Sequence, residues 1–222
     1  MNTSIATYDY VNHLIVLVQL CFCGSALGSL ILLKFLRPRH DRIIGGLVYG
    51  VCLFLCGLCS YLYTIRFSGL PIPLLRQLDH AAIFLLIAGT YTPFATRDIL
   101  GPFRIRLLHW VWAIALAGII LRLIVETGHD KIFVFLYVGM GWIFLTSMRD
   151  VIRHISGFAL TFLALGATIY SMGAVLFALD LTVWTDPIWH GCVVAAASLH
   201  FVAILSLLIR MGSRRASATS VS

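Results

Sequence analysis

The chain is built around seven runs of mostly apolar residues, each about 20 residues long and separated by short polar segments. A helix of this length crosses the hydrocarbon core of a bilayer, where backbone polar groups must bond within their own segment. Charged residues make up only 11% of the chain, against about 25% in a typical soluble domain. We therefore expect an all-α polytopic membrane protein with seven transmembrane helices, at residues 12–33, 43–65, 79–96, 107–125, 132–148, 155–179 and 188–209.

These spans leave little of the chain outside the bilayer. We expect one membrane domain over residues 1–209 and a short polar C-terminal tail at 210–222. Nucleic acid is not an expected partner, because there is no soluble basic module to bind it. The six cysteines all fall inside predicted spans, which favours small packing residues over disulfides. A soft-metal site is the alternative interpretation of the cysteines.

The basic residues are distributed unevenly between the two membrane faces. We call side A the face on which span one begins, and side B the opposite face, which carries the C-terminus. Four basic residues lie on side A: Arg66, Arg76, Arg122 and Lys131. The remaining twelve lie on side B: Lys34, Arg37, Arg39, Arg42, Arg97, Arg104, Arg106, Arg149, Arg153, Arg210, Arg214 and Arg215. The positive-inside rule then predicts that side B is cytoplasmic.

Polar and ionisable residues at the ends of spans one, two, three and seven all face side A. Ionisable residues at membrane depth are costly and therefore indicate a functional site, such as a metal or a polar pocket. Asp186 and His190 are four residues apart, on one side of a helix, which is a suitable spacing for metal ligands. The side A set is Asp9, Asn12, His13, Ser60, Thr64, Asp79, His80, Asp186 and His190.

Structural roles are the alternative for several of these residues. "TDPIWH" is typical of a helix start, with Asp186 as N-cap and Pro187 at the first helical position. Asp79 is in the same way a candidate cap of span three. We expect His80 at a helix interface and His200, about 15 Å beyond His190 on the same helix, packed and hydrogen-bonded.

Four segments, in order and spacing, carry a family resemblance. "LDHAAIFLLIAGTYTPF" at 78–94 resembles the signature of the hemolysin III family, the bacterial branch of the progestin and adipoQ receptor (PAQR) superfamily. "SYLYT" at 60–64, "GMGW" at 139–142 and "IWHGCVVAAASLHF" at 188–201 resemble family segments of spans two, five and seven. The resemblance covers residues 9–209.

The resemblance implies seven helices around a zinc site near one membrane face. Its ligands are a histidine ending span two and a His-x-x-x-His pair opening span seven, supported by an aspartate opening span three and a serine one turn before the first histidine. Ser60, Asp79 and His190 match this pattern, whereas Thr64 and Asp186 replace two of the histidines. In span one, Asp9 and Asn12 match the family motif, and Val16 holds its histidine position.

A complete site of this kind implies hydrolysis of a lipid amide, with zinc as Lewis acid and a carboxylate as proton acceptor. For this chain Asp79 and Ser60 are the candidate catalytic residues, and His190, Asp186 and Asp79 are the candidate metal ligands. With two ligands replaced, we expect zinc to be held weakly or not at all.

Three functions remain open. The first is a protein of membrane-lipid homeostasis or lipid sensing with a degenerate zinc site. The second is a metal-dependent lipid amide hydrolase with a rearranged site of Asp79, Asp186 and His190. His13, which we expect one turn before Val16 on the same face of the helix, is a candidate substitute ligand. The third is a passive structural or transport protein. Membrane lipids are the expected partners and the bacterial cytoplasmic (inner) membrane the expected location. The family resemblance implies a cytoplasmic N-terminus, opposite to the charge count.

Overall fold

The computed structural model describes residues 3–36, 43–95, 104–125 and 130–219. Within these residues the chain is helical and has no strand, which confirms the prediction of an all-α fold. The helices are α1 (Thr3–Leu36), α2 (Ile43–Thr64), α3 (Ile72–Ala95), α4 (Arg104–Ile124), α5 (Asp130–Trp142), a 3₁₀ segment (Ile143–Ser147), α6 (Met148–His154), α7 (Gly157–Leu179) and α8 (Thr185–Thr219).

Among the described residues, seven segments are long and apolar enough to cross a membrane, as the sequence predicts. Each overlaps one predicted span, although most are longer, because hydropathy reports the lipid-crossing part of a helix and not its polar ends. The spans are Ala6–Leu36, Ile43–Thr64, Ile72–Ala95, Ile105–Ile124, Asp130–His154, Gly157–Leu179 and Thr185–Ile209.

The fifth span is not one continuous α-helix. It changes at Trp142 into the 3₁₀ segment and resumes as α6, ending at His154 rather than near residue 148 as predicted. The sequence interpretation stopped early because Arg149 and Arg153 are charged, whereas Val151 between them is fully buried. A 3₁₀ stretch within a helix leaves backbone groups without their usual α-helical hydrogen bonds, so these groups require other hydrogen-bond partners.

The most buried spans are α2 and α3. In the most apolar stretch of each, 56% and 50% of the residues are buried, whereas the corresponding share is 22% in α4 and α7. Close packing around α2 depends on glycine. A side chain at Gly50 would meet Leu30 at 2.9 Å and Leu27 at 3.1 Å on α1, so the "GLVYG" segment packs closely as small-residue spacing predicts. The "GSALG" segment does not do so at Gly28, which has open space around its α-carbon.

All six cysteines are free thiols. Cys23, Cys52 and Cys56 are buried in the interior, so the prediction that they are small packing residues is confirmed for these three.

Candidate functional site

Ser60 and Asp79 form a buried pair at the side A end of the bundle. Ser60 lies one turn before the end of α2, and Asp79 lies on the third turn of α3. The Ser60 hydroxyl donates a hydrogen bond of 2.5 Å to Asp79 Oδ1, and both residues are less than a tenth exposed. Asp79 is well inside its helix and therefore does not cap it, so the capping alternative is wrong.

His190 is the remaining histidine of the expected ligand set. It is buried on α8 and within electrostatic range of Asp79, Asp186 and His80. Its Nδ1 lies 3.2 Å from Oε1 of Gln19, a buried amide on α1. Because an amide oxygen can only accept, Nδ1 carries the proton in this contact and Nε2 is left as the nitrogen that can accept or coordinate.

Asp186 points to a different partner. It is the second residue of α8 rather than the N-cap that the sequence predicts. Its Oδ2 accepts a hydrogen bond of 3.0 Å from the Tyr8 hydroxyl, at the exposed start of α1. Tyr8 also packs against Trp184, with ring centroids 5.8 Å apart. Asp186 thus joins the beginnings of α1 and α8.

His13 does not substitute for the missing family histidine. Its side chain is exposed, and its Nδ1 bonds the Asp9 backbone carbonyl within its own helix. Val16, at the family's histidine position, is fully buried instead. The expectation that His13 and Val16 share one face of α1 is therefore wrong, since one faces outward and the other inward.

The residues present do not fit a closed zinc site. Among the described residues, no group of three histidine, cysteine, aspartate or glutamate side chains is arranged to hold a metal. Zinc in proteins takes nitrogen and sulfur ligands in a tetrahedral set, and here only the imidazole of His190 remains from the family's three. Asp79 is bonded to Ser60 and Asp186 to Tyr8.

A partly buried ion-pair network lies beside these residues, between α3, α4 and α5. Arg122 is 0% exposed, although it is charged and within a membrane span. Its Nη2 donates to Asp130 Oδ1 at 2.7 Å, and Arg76 donates to the other oxygen, Oδ2, at 2.7 Å. The guanidinium carbon of Arg122 also lies 4.9 Å from the ring centroid of Phe133, which is a cation–π contact.

His80 is part of this network. Arg122 Nη2 lies 2.8 Å from Nδ1 of His80, and since guanidinium can only donate, Nδ1 accepts and the proton is on Nε2. The 3.4 Å separation between His80 Nδ1 and Asp130 Oδ1 is therefore not itself a hydrogen bond. Phe177 of α7 packs edge-on against the ring at 6.0 Å. His80 is thus a helix-interface residue, as predicted.

A cavity of about 250 Å³ extends from this region toward side B, between α3, α5 and α7. Trp189, next to His190, lines it on α8, and His200 lines it eleven residues after Trp189. Most of the lining is apolar or aromatic. Trp142 and Leu145 lie on its rim and are each more than two-fifths exposed, so the cavity opens toward the bilayer between α5 and α7.

Sequence reasoning missed Gln19 and the Arg122 network. Gln19 is an amide in the apolar part of α1, and Arg122 interrupts the apolar run "LAGIILRLI". Both are polar groups inside membrane spans, which is the signal that marks functional or paired residues. Arg122 was instead counted as a charge of the side A surface.

The comparisons agree with this architecture. The model of the family described as "Haemolysin-III related" matches residues 6–201. Hemolysin-3 of Bacillus cereus is 29% identical over 195 residues, covering 85% of this chain and 87% of that protein. The Hemolysin-3 homolog of Bacillus subtilis (strain 168) is 29% identical over 169 residues, covering 76% of this chain and 79% of that protein.

A more distant relative extends the comparison beyond bacteria. The human monocyte to macrophage differentiation factor is 30% identical over 136 residues, covering 60% of this chain and 55% of that protein. No solved structure matches the chain. The resemblance to the hemolysin III branch of the PAQR superfamily is confirmed, and the chain belongs to the haemolysin III-related family of integral membrane proteins.

Proposed function

We propose that the protein binds a single lipid chain in the cavity between α3, α5 and α7, and acts in membrane-lipid homeostasis or lipid sensing in a bacterial cytoplasmic membrane. The observation that carries this proposal is the cavity itself, which is largely apolar and open to the bilayer through its rim at Trp142. Ligand sites are typically concave apolar pockets with a few polar groups. A lipid chain can enter this one laterally without crossing a polar surface.

The polar residues at the side A end support sensing rather than strong catalysis. The cavity ends at Trp189 and Tyr137, and the Tyr137 hydroxyl donates to the backbone carbonyl of His80. The occupant of the cavity therefore lies next to the backbone of α3 that carries Asp79. With Asp79 and Asp186 bonded to Ser60 and Tyr8, the protein is proposed to hold zinc weakly or not at all.

Photolabelling tests lipid binding. A fatty acid with a photoactivatable group in its chain is added to the purified full chain in nanodiscs, and labelled peptides are identified by mass spectrometry. Labels are expected on α3, α5 and α7. Ala167 lines the cavity and Ala117 of α4 is exposed to lipid, so Ala167→Phe fills the cavity and Ala117→Phe is the matched control.

The expected result is that Ala167→Phe removes the labels on these three helices and Ala117→Phe leaves them. Equal labelling of both variants, or labels confined to outward-facing residues, would contradict the proposal.

A further inference from the structure

His200 is a polar group deep inside the membrane. It lies on α8 about 22 Å from Thr185 and about 14 Å from Ile209 along the helix axis. It lines the cavity, and its ring packs against Tyr170 with centroids 5.5 Å apart. The close approach of α7 that holds it depends on Gly166, where a β-carbon would overlap the imidazole.

The hydrogen bond of His200 fixes which of its nitrogens is free. Nε2 lies 3.2 Å from the backbone carbonyl oxygen of Leu163. A carbonyl can only accept, so Nε2 carries the proton. The ring contacts Leu163, Gly166 and Tyr170, none of which offers an acid to stabilise an imidazolium in the bilayer. The neutral ring therefore keeps a lone pair on Nδ1.

Three hydroxyl groups on the cavity wall also offer lone pairs, beside the Trp189 and Tyr170 side chains, which carry donors. Thr90, Thr168 and Ser171 each donate their hydroxyl proton to a carbonyl one turn earlier in their own helix, at 2.8–2.9 Å. Such side chains present acceptors to the cavity interior. These acceptors are complementary to a ligand that brings a donor.

We infer that the cavity selects a fatty acyl chain with a hydroxyl group in its interior, and that His200 Nδ1 accepts the hydrogen bond of that hydroxyl. This inference rests on the proposed function, since it specifies the occupant of the same cavity. The hydroxyl lies in the middle of the acyl chain and not at the lipid head group, because His200 is far from both membrane faces. An unsubstituted chain fits the same space but leaves the Nδ1 lone pair without a donor.

Competition between two matched fatty acids tests the inference. Oleic acid and ricinoleic acid differ by one hydroxyl near the middle of the chain. Each competes with the photoactivatable fatty acid for labelling of the purified full chain in nanodiscs. We expect ricinoleic acid to compete about five- to tenfold better than oleic acid, the effect of roughly one hydrogen bond to a buried acceptor.

Two substitutions separate the two nitrogens of His200. Asparagine places an amide oxygen near the position of Nδ1, and glutamine places its amide nitrogen near that of Nε2. His200→Asn is expected to keep the preference for ricinoleic acid. His200→Gln is expected to abolish it, so that the two fatty acids compete about equally. Labelling by the photoactivatable fatty acid itself shows that each variant retains the cavity.

The outcomes are distinct. If the photoactivatable fatty acid labels the cavity but the two competitors are equal in the unmodified protein, the inference is overturned and the proposed function stands. If ricinoleic acid is preferred equally in both His200 variants, His200 is not the selecting residue. If nothing labels the cavity, the proposed function fails and the inference with it.

Discussion

Individual polar residues inside the bilayer explain most of what is specific about this chain. The Arg122–Asp130 pair is the strongest case, because a guanidinium with 0% exposure is stable only when paired. Asp130→Asn would leave two arginines without their carboxylate. We expect it to lower the free energy of unfolding by about 3–5 kcal/mol, measured by thermal or denaturant unfolding in detergent.

Two variants serve as controls for this prediction. Lys131→Gln removes a neighbouring exposed charge and is expected to have little effect. Arg122→Met added to Asp130→Asn removes the uncompensated charge and is expected to recover part of the loss. The contrary result is a double variant whose loss in free energy of unfolding equals the sum of the losses in the two single variants. It would show that Asp130 and Arg122 contribute to stability independently.

The sequence predicted part of this residue-level picture. Ser60, Asp79 and His190 are recognisable because each stands at the end of an apolar span and matches a family motif. The partner of His190 was not predictable in the same way, because Gln19 contacts it only through the packing of α1 against α8. Asp186 was misassigned as a cap because its partner, Tyr8, is 178 residues away in the chain.

Restoring the family's ligands tests the zinc proposal. We expect Thr64→His together with Asp186→His to bind near-stoichiometric zinc, because Ser60, Asp79 and His190 are still present and the two new imidazoles supply neutral nitrogen ligands. Elemental analysis of the purified, unchelated proteins measures this. Adding His190→Ala to the restored variant is the control and should remove the zinc again. Stoichiometric zinc in the unmodified protein would favour the metal-dependent hydrolase instead.

At the scale of elements, the break in span five is the feature that hydropathy could not predict, since the apolar run continues through it. The 3₁₀ segment leaves carbonyl groups without their usual helical donors at membrane depth. The hydroxyl of Tyr91 on α3 lies 2.8 Å from the carbonyl oxygens of both Met140 and Gly141 and shares its proton between them. Tyr91 therefore stabilises the break from the neighbouring helix.

Tyr91→Phe removes this shared donor without changing the ring. Buried acceptors left unbonded cost about 1–3 kcal/mol, so we expect destabilisation of that size by thermal unfolding and faster hydrogen exchange at residues 140–147. Tyr10→Phe is the matched control, because Tyr10 is 69% exposed. Unchanged exchange in Tyr91→Phe would show that the break is stabilised by other contacts.

At the scale of the whole molecule, the distribution of basic residues predicts the orientation in the membrane. The sequence count places twelve basic residues on side B and four on side A. Two of the four side A residues, Arg76 and Arg122, are paired with Asp130. Lysines and arginines near the span ends set the orientation and acidic residues contribute little, so the uneven count of basic residues carries the expectation.

We therefore expect a cytoplasmic C-terminus and a side A site that faces the opposite compartment. A reporter that is active only in the cytoplasm, fused after residue 222, should be active, and one that is active only outside should not.

The informative variant is Arg76→Gln with Arg122→Met and Asp130→Asn, which removes the paired charges together. If those charges do not contribute to topology, this variant keeps the orientation of the unmodified chain. An external C-terminus in the unmodified chain would show that the orientation implied by the family resemblance overrides the local charge count, and would place Asp79 and His190 on the cytoplasmic side.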